Sequence, residues 1–353
     1  MIVVGCGAVA QTLYAPALDA VQRAGEIQVV GIVDPSETRR AGMLKRFPEA
    51  VAHSNLAFCR LGAQNLVVIA TPPKLHAEQS VHALRQGAAV LCEKPMAASS
   101  AEAEAMIQAA RTSGVVLAVG IFRRFFPAFE ALKQVFYNKP FGELQDFTIH
   151  EGGKFGWGAA SDSYFRLDQT LGGVLFDLGV YIVDLLLWWL GEPASFTYED
   201  DAMGGLEANC RLHIAYRTGG RGMVRLSRDW ETQNRYVFRF EAATVIYKVG
   251  QANRLSVSVN GVPFVLCGEL MMSGNGQDAV DSPTRTWPQS FTEQIRNVVA
   301  AMRGRQELRV PGAEAICSLR FIESCYRTRT LMKMPWLTRE ETDTALELAR
   351  VDR

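Results

Sequence analysis

The first ten residues, MIVVGCGAVA, constrain the fold more than any other segment of the chain. Gly5, Gly7 and Ala10 form a GxGxxA pattern that follows a short apolar strand and begins a predicted helix over 8–24. Glycine permits a tight turn and lets backbone N–H groups approach a pyrophosphate, which the dipole of the helix N-terminus attracts. With Asp34 at the end of the second predicted strand, this pattern predicts a dinucleotide-binding domain.

Short apolar runs alternate with helical segments as far as residue 120. Strands are predicted over 2–4, 29–33, 66–70, 89–92 and 115–119, and helices over 8–24, 36–47, 75–86 and 99–111. Repeated strand–helix units indicate a parallel sheet with helices on both faces, and the run NLVVIA is typical of a strand buried on both sides. We therefore predict an α/β chain whose residues 1–120 form a Rossmann domain. Only four residues precede Gly5, which leaves open a start further upstream.

The pattern changes after residue 120. Helices are predicted over 127–137, 179–190, 290–302 and 313–329, a strand over 144–151, and a loop rich in Gly, Trp and Tyr over 152–171. Segments between 194 and 265, such as RLHIAYR, alternate apolar and polar residues, which indicates an antiparallel sheet with one buried face. We predict a second, α+β domain over 121–334 with a mostly antiparallel open sheet, and a peripheral tail over 335–353.

Charge and cysteine content narrow the class of protein. Lys plus Arg and Asp plus Glu both number 37, without a basic cluster, so we expect no nucleic-acid partner. The longest apolar stretch, 180–190, contains Asp184 and is too short to span a bilayer, so we expect no membrane partner. Seven cysteines without CxxC spacing, and an N-terminus without a basic leader, favour the cytoplasm. The five histidines have no metal-ligand spacing, so we predict no metal.

Asp34 bears on the choice of dinucleotide. A carboxylate at this place accepts hydrogen bonds from the adenosine ribose hydroxyls and repels a 2′-phosphate, which favours NAD over NADP. The neighbouring Arg39 and Arg40 leave NADP open as a second choice. The alternative is that the glycines only form a turn and that Asp34 only caps the following helix.

Residues 70–97, ATPPKLHAEQSVHALRQGAAVLCEKPMA, contain the most specific motifs of the chain. Together with the glycine pattern they resemble the glucose–fructose oxidoreductase / inositol dehydrogenase family (Gfo/Idh/MocA). The resemblance covers the family's loop after the fourth strand and its EKP motif after the fifth, and it continues through FRRFFPAF, FGEL and GGVLFDLGVYIVDLLLWWLG. The matching residues of the two motifs are Thr71, Pro72, Pro73, His76, Glu93, Lys94 and Pro95.

The resemblance implies an NAD(P)-dependent dehydrogenase or reductase. Its members transfer a hydride between nicotinamide and a secondary alcohol or carbonyl of a sugar, sugar derivative or polyol, so we expect a small-molecule substrate. It also implies a homodimer or homotetramer formed through the second domain. The expected cofactor-binding residues are Gly5, Gly7, Ala8, Val9, Ala10, Asp34, Arg39, Thr71, Pro72, Pro73, His76, Glu93 and Lys94.

Lys94 is the first candidate catalytic residue. It leaves the carboxyl end of a buried parallel strand, the edge at which open α/β sheets bind ligands. A partly desolvated amine beside a cationic nicotinamide has a lowered pKa and can exchange protons with a substrate oxygen. The alternative is a solvated surface lysine.

Asp177, Tyr181 and Asp184 occupy one face of the predicted apolar helix, at positions i, i+4 and i+7. Many members of the family that this chain resembles have histidine at the position of Tyr181. Tyrosine occurs in the branch with glucose–fructose oxidoreductase and the dimeric dihydrodiol dehydrogenases, which implies that the phenol is the acid/base. We predict that Lys94 and Tyr181 handle the proton and that Asp177 assists, whereas Asp184 is structural. Alternatively, Tyr181 is a packing aromatic and Asp177 a helix cap.

The substrate is expected to contact residues in and before the polar, aromatic loop of the second domain. These candidates are Arg124, Lys154, Trp157, Tyr164, Arg166 and Asp168, in addition to Lys94, Asp177 and Tyr181. Two other functions remain open: glycoside cleavage through transient oxidation by tightly held NAD, and a non-catalytic NAD-binding regulator whose site has changed at Tyr181.

Overall fold

The structure, a computed structural model, describes residues 1–156, 158, 165–267 and 287–350. Its first sheet has six parallel strands in the order β3-β2-β1-β4-β5-β6, which confirms the predicted Rossmann domain. The strands are β1 (Ile2–Val4), β2 (Gly31–Val33), β3 (Val51–His53), β4 (Leu66–Ile69), β5 (Ala89–Glu93) and β6 (Leu117–Gly120). Sequence patterns missed β3 because it has three residues, none of them fully buried, at the edge of the sheet.

Four helices connect these strands: α1 (Ala15–Arg23), α2 (Glu37–Leu44), α3 (His76–Arg85) and α4 (Ser100–Ser113). A π-type turn, Ala10–Tyr14, precedes α1, and in it the Ala15 N–H donates to the Ala10 carbonyl. Pro16 has no N–H to donate, so the backbone widens before it and the helix continues after it. The helix predicted over 8–24 thus changes type at Pro16.

The second sheet has nine strands in the order β14-β13-β12-β11-β7-β10-β9-β8-β15. Only the pairs β7–β10 and β8–β15 are parallel, which confirms a mostly antiparallel sheet. The strands are β7 (Leu144–Gly152), β8 (Ser195–Asp200), β9 (Asn209–Ala215), β10 (Arg221–Ser227), β11 (Arg235–Phe240), β12 (Ala243–Lys248), β13 (Arg254–Val259), β14 (Val262–Cys267) and β15 (Thr330–Leu331).

Helices α5 (Pro127–Asn138) and α6 (Val180–Leu190) cover one face of this sheet. Their aromatic side chains interlock with those of the strands: Phe129 stacks on Tyr236 with ring centroids 5.9 Å apart, and Trp189 meets Phe238 edge-on at 5.7 Å. This core fixes the position of α6 and of the turn before it.

The last helices are α7 (Trp287–Met302), α8 (Gly312–Arg327) and α9 (Arg339–Arg350). Although α7 and α8 fall in the predicted second domain, α7 packs on α1 and α8 packs on α4 and α6. Polar contacts also join α4 to α8: the N–H and the hydroxyl of Ser100 both donate to Glu323, at 2.6 and 2.7 Å. In the described ranges, no helix is both long and apolar enough to cross a membrane.

Candidate active site

The glycine turn lies where β1, β2 and β4 end. Gly5 has φ +88°, and its N–H donates to the Val33 carbonyl at 2.8 Å. A Cβ at this position would lie 2.6 Å from the Ala70 carbonyl oxygen, so only glycine fits. Asp34 accepts the Cys6 N–H at 2.8 Å on one carboxylate oxygen and the Ser36 N–H at 2.8 Å on the other. These bonds fix the turn and the carboxylate relative to each other.

A cavity of about 500 Å³ opens beside this turn. Its wall contains the backbone of the turn, which a ligand can approach closely, and the Asp34 carboxylate. The backbone fits the pyrophosphate of a dinucleotide, and the carboxylate fits its ribose. Nine of the predicted cofactor-binding residues line it: Gly5, Gly7, Ala8, Val9, Asp34, Arg39, Thr71, Pro72 and Glu93.

Of the other four predicted cofactor-binding residues, Lys94 contacts Asp177 and does not line this cavity, and the remaining three need correction. Ala10 and Pro73 are buried and do not line this cavity. His76 is fully buried, and its ring nitrogens lie 2.8 Å from the carbonyl oxygens of Pro95 and Thr71. Because its two ring nitrogens face backbone carbonyls of two different loops, this ring lies between the loops instead of facing a ligand.

Lys94 meets Asp177 at the junction of the two domains. The Lys94 ammonium donates to the Asp177 carboxylate at 2.8 Å and to its carbonyl at 2.9 Å. Arg228 donates to the other carboxylate oxygen at 2.9 Å. Burial acts to raise the pKa of Asp177, but the two cations outweigh it and hold that pKa below its usual value. Asp177 is therefore an anion that fixes the lysine, not a helix cap.

Tyr181 completes this cluster one helical turn later. Its side chain is 8% exposed, and the Lys94 ammonium lies 4.9 Å from the centre of its ring. The Arg123 guanidinium lies 4.6 Å from the same centre, and Phe122 packs against the ring edge-on at 5.3 Å. The structure thus brings the three predicted catalytic residues together, although 83 residues separate Lys94 from Asp177.

Glu93, the neighbour of Lys94, lines the dinucleotide-sized cavity. Its carboxylate accepts the Tyr14 hydroxyl at 2.7 Å and the Lys94 N–H at 3.0 Å. Burial raises the pKa of Glu93 to about 7, against the opposing effect of Lys94 and these hydrogen bonds. A perturbed carboxyl group in a cavity wall is typical of a functional site.

A second cavity, of about 600 Å³, lies on the other side of Asp177. Lys154, a predicted substrate residue, lines it together with Phe155, Arg228 and Trp287. The wall thus offers aromatic faces and hydrogen-bonding groups of both charges. Trp157 and Tyr164, also predicted here, lie outside the described residues.

The prediction that Arg124 contacts the substrate is wrong. Its side chain is 3% exposed and forms a fork with the Asp184 carboxylate at 2.7 and 2.8 Å. It also donates to Glu314 at 2.7 Å. Arg124 therefore ties the turn after β6 to α6 and α8, and Asp184 has the structural role predicted for it.

Arg166 and Asp168 form an exposed pair at 3.1 Å. The Asp168 carbonyl accepts a hydrogen bond from Lys74 at 3.2 Å, which brings this segment against the loop after β4. The segment thus borders the loop after β4, and Phe165 at its start lies 5.4 Å from the Arg228 guanidinium.

Two cations of the cluster, Arg123 and Arg228, were not among the predicted site residues. Arg228 follows β10, a strand whose alternation predicted only a sheet, and nothing local indicates that it reaches Asp177. Arg123 precedes Arg124 in FRRFFPAF, and the motif does not tell which arginine faces the site. In the part of the chain that the structure describes, no group of three His, Cys, Asp or Glu side chains could hold a metal ion.

Comparison with known proteins gives a consistent result for both domains. A family model described as "Oxidoreductase family, NAD-binding Rossmann fold" (GFO/IDH/MocA) matches residues 1–121, and the GFO/IDH/MocA C-terminal domain matches residues 129–246. Trans-1,2-dihydrobenzene-1,2-diol dehydrogenase of Mus musculus is 32% identical over 186 residues, which are 46% of this chain and 55% of that enzyme. The scyllo-inositol 2-dehydrogenase (NADP(+)) of Bacillus subtilis is 30% identical over 198 residues, 55% of this chain and 52% of that enzyme.

The chain thus spans about half the length of the curated relatives it matches. Among solved structures, a levoglucosan dehydrogenase in complex with NADH and levoglucosan superposes with a TM-score of 0.78 at 16% identity. The superposition covers 93% of this chain and 96% of that one, so the likeness of fold extends over both domains.

Proposed function

This chain belongs to the GFO/IDH/MocA family of NAD-binding oxidoreductases, and from that premise we propose that it transfers a hydride between nicotinamide and a secondary alcohol or carbonyl carbon. The observation that carries the proposal is the cluster of Lys94, Asp177 and Tyr181: Glu93, the neighbour of Lys94, lines the first cavity, and Asp177 lines the second. One cavity has the wall that a dinucleotide needs, and the other has room for a small polar molecule. A proton-transfer group in such a cluster is what alcohol oxidation requires.

The bound dinucleotide supplies the hydride chemistry, and the side chains of this chain manage the proton. In the direction of oxidation, Tyr181 takes the proton of the substrate hydroxyl while the C–H bond loses its hydride. Lys94, fixed by Asp177 at 2.8 Å, holds a positive charge beside the phenol and stabilises its anionic form. In the direction of reduction, the phenol returns the proton to the new alkoxide.

We propose a sugar, sugar derivative or polyol as the substrate class. Phe155 and Trp287 provide aromatic faces for C–H groups, and Lys154 and Arg228 provide donors for hydroxyl oxygens. Glucosides and inositols are named as substrates of relatives, which supports this class. NAD is the preferred dinucleotide because Asp34 places a carboxylate in the cavity wall, although Arg39 lines the same wall and gives NADP a cationic partner.

The remaining part of the proposal is that the enzyme works in the cytoplasm as a homodimer or homotetramer. Six of the cysteines are free thiols, as expected in a reducing compartment. The outer strand β14 exposes Val262 and Val265 by 66% and 54%, and such apolar surface favours association. Light scattering of the purified protein measures the assembly directly, and a monomer at all concentrations would contradict this part.

The catalytic assignment predicts the effect of Tyr181→Phe. Loss of the phenolic hydroxyl removes the proton-transfer group, so we expect kcat to fall by about 10²–10⁴-fold with little change in dinucleotide affinity. NADH formation is followed with a panel of inositols and glucosides, and cofactor binding is followed by fluorescence. Lys94→Ala is expected to act in the same direction.

Tyr137→Phe is the matched control, because Tyr137 is 82% exposed and remote from the cluster, and its rate is expected to equal that of the wild type. An unchanged rate in Tyr181→Phe would remove the catalytic assignment. Turnover of a glycoside without net NADH would instead favour glycoside cleavage through transient oxidation.

A further inference from the structure

A second buried cation faces the ring of Tyr181. Arg123 lies in the turn Phe122–Phe125 directly after β6, with its guanidinium 4.6 Å from the ring centre. Its side chain is 7% exposed. Lys94 approaches the same ring at 4.9 Å from the end of β5. Two positive charges from adjacent strand ends therefore flank one phenol.

The position of Arg123 is tightly determined by the second sheet. Its two terminal nitrogens donate to the two carboxylate oxygens of Glu151, at 2.8 and 2.6 Å, and one of them also donates to the Tyr236 hydroxyl at 3.1 Å. The Tyr236 hydroxyl in turn donates to Glu151. Burial acts to lower the pKa of Arg123, but Glu151 and Tyr236 outweigh it and keep the pKa above its usual value. The charge is therefore permanent and its place is fixed.

We propose that Arg123 is a positioning residue that stabilises the phenolate form of Tyr181 during proton transfer. Its importance for turnover rests on the proposed function, whereas its effect on the phenol does not. An opposite charge within about 4–6 Å lowers the pKa of an acid by about 1–3 units. A cation is attracted less strongly to the face of a neutral ring than to a phenolate. The Arg123 guanidinium therefore stabilises the anionic form of Tyr181 more than its neutral form.

Other titratable groups near Tyr181 come from each element packed on it. Asp177 precedes it by one helical turn and is bound by Lys94 and Arg228. Tyr14, before α1, interacts electrostatically with Tyr181 and donates its hydroxyl to Glu93. Phe122 lies between Tyr181 and α7. Its ring packs against the Tyr181 ring, and it lies 4.7 Å from the ring of Phe291 in α7. The carboxylates thus bind the cations, while the cations contact the ring.

The experiment is an ultraviolet titration of tyrosinate in the protein without cofactor or substrate, which does not require turnover. Because Arg123 and Glu151 also act on Tyr236 and Tyr247, each variant is compared with the same variant carrying Tyr181→Phe, and this difference isolates the signal of Tyr181. The background is low because burial raises the pKa of five other tyrosines: Tyr14, Tyr198, Tyr216, Tyr236 and Tyr247.

The decisive variant is Arg123→Met with Glu151→Leu, which removes the buried pair without leaving one charge alone. We expect the Tyr181 titration to move to higher pH, by less than the loss of a lone cation would cause, because the Glu151 carboxylate is removed as well. Arg123→Gln with Glu151→Gln is a second variant that keeps the site polar, and the same shift is expected. Arg123→Lys keeps the charge but not the fork, so a smaller shift is expected.

Arg124→Met with Asp184→Leu is the matched control, since it removes an equally buried pair from the next residue along the chain. It is expected to leave the Tyr181 titration unchanged. The proposal is overturned if neither Arg123 double variant moves the titration, or if the control moves it equally. If the titration moves while Tyr181→Phe keeps full activity, the acid/base function fails but the effect of Arg123 on the phenol stands.

Discussion

Glu93 shows how a single buried carboxyl group can oppose the stability of the folded chain. The folded state raises its pKa to about 7 from the ordinary value of 4.5, mainly through burial. Between these two values the folded chain binds more protons than the unfolded chain, so the free energy of unfolding decreases as the pH rises. Above pH 7 the charge is buried at a cost that its partners, Tyr14 and Lys94, offset only in part.

Glu93→Gln is therefore expected to stabilise the cofactor-free protein at pH 8. The amide carries no charge to desolvate, and its oxygen still accepts the Tyr14 hydroxyl, but its NH2 group cannot accept the Lys94 N–H. Because this lost hydrogen bond offsets part of the gain, we expect an increase of about 1–2 kcal/mol in the free energy of unfolding at pH 8. Near pH 5 both forms are close to neutral and the gain should be small. Urea denaturation at the two pH values measures the difference, and an equal effect at both would contradict the assignment.

At the scale of elements, the buried ion pair of Arg124 and Asp184 holds three segments together. It joins the turn after β6 to α6, and Glu314 extends it to α8. The same α6 carries Tyr181, three residues before Asp184.

Asp184→Asn should destabilise the protein strongly, because it leaves the buried Arg124 guanidinium with only the half-exposed Glu314 as its anion. We expect the free energy of unfolding to fall by about 3–5 kcal/mol in urea denaturation. Glu314→Gln is the control on the same arginine. Because Glu314 is 56% exposed, this variant should lose only about 0–1 kcal/mol. Equal losses would show that burial does not determine how much each ion pair contributes to the free energy of unfolding.

The elements that could be predicted from the sequence are those with a periodic apolar signal. Strands β4 and β5, with continuous apolar runs, and the helix containing Tyr181 appear within a few residues of their predicted places. By contrast, β3 is too short and exposed to leave such a signal. Arg123 and Arg228 could not be assigned because their partners, Glu151 and Asp177, become neighbours only through tertiary packing. The apolar periodicity of the sequence predicts which residues are buried, but it does not identify the residues that they contact.

At the scale of the whole molecule, the first domain is completed by the end of the chain. Helices α7 and α8 pack on α1 and α4, and Phe291 of α7 contacts Tyr14 at 4.9 Å. The proposed catalytic cluster likewise combines Lys94, at the end of a strand of the first sheet, with Asp177 from the turn before α6. The two predicted domains therefore share both their packing and their site.

This packing predicts a single cooperative unfolding transition in calorimetry. Since α7 and α8 cannot keep their contacts when either domain unfolds, NAD+ should move the whole transition upward. At a concentration of about 100 times the Kd, the expected stabilisation is about 2.7 kcal/mol. Two separate transitions, of which NAD+ moves only one, would contradict the shared packing.

Because α7 and α8 pack on the first domain, they also limit which segments of the chain can be exchanged with those of a related protein. An exchange of the nucleotide-binding half at residue 120 would transplant the faces of α1 and α4 without the helices that cover them. A functional chimera must therefore inherit the first domain and the C-terminal helices from the same parent, while the intervening sheet is the segment open to replacement.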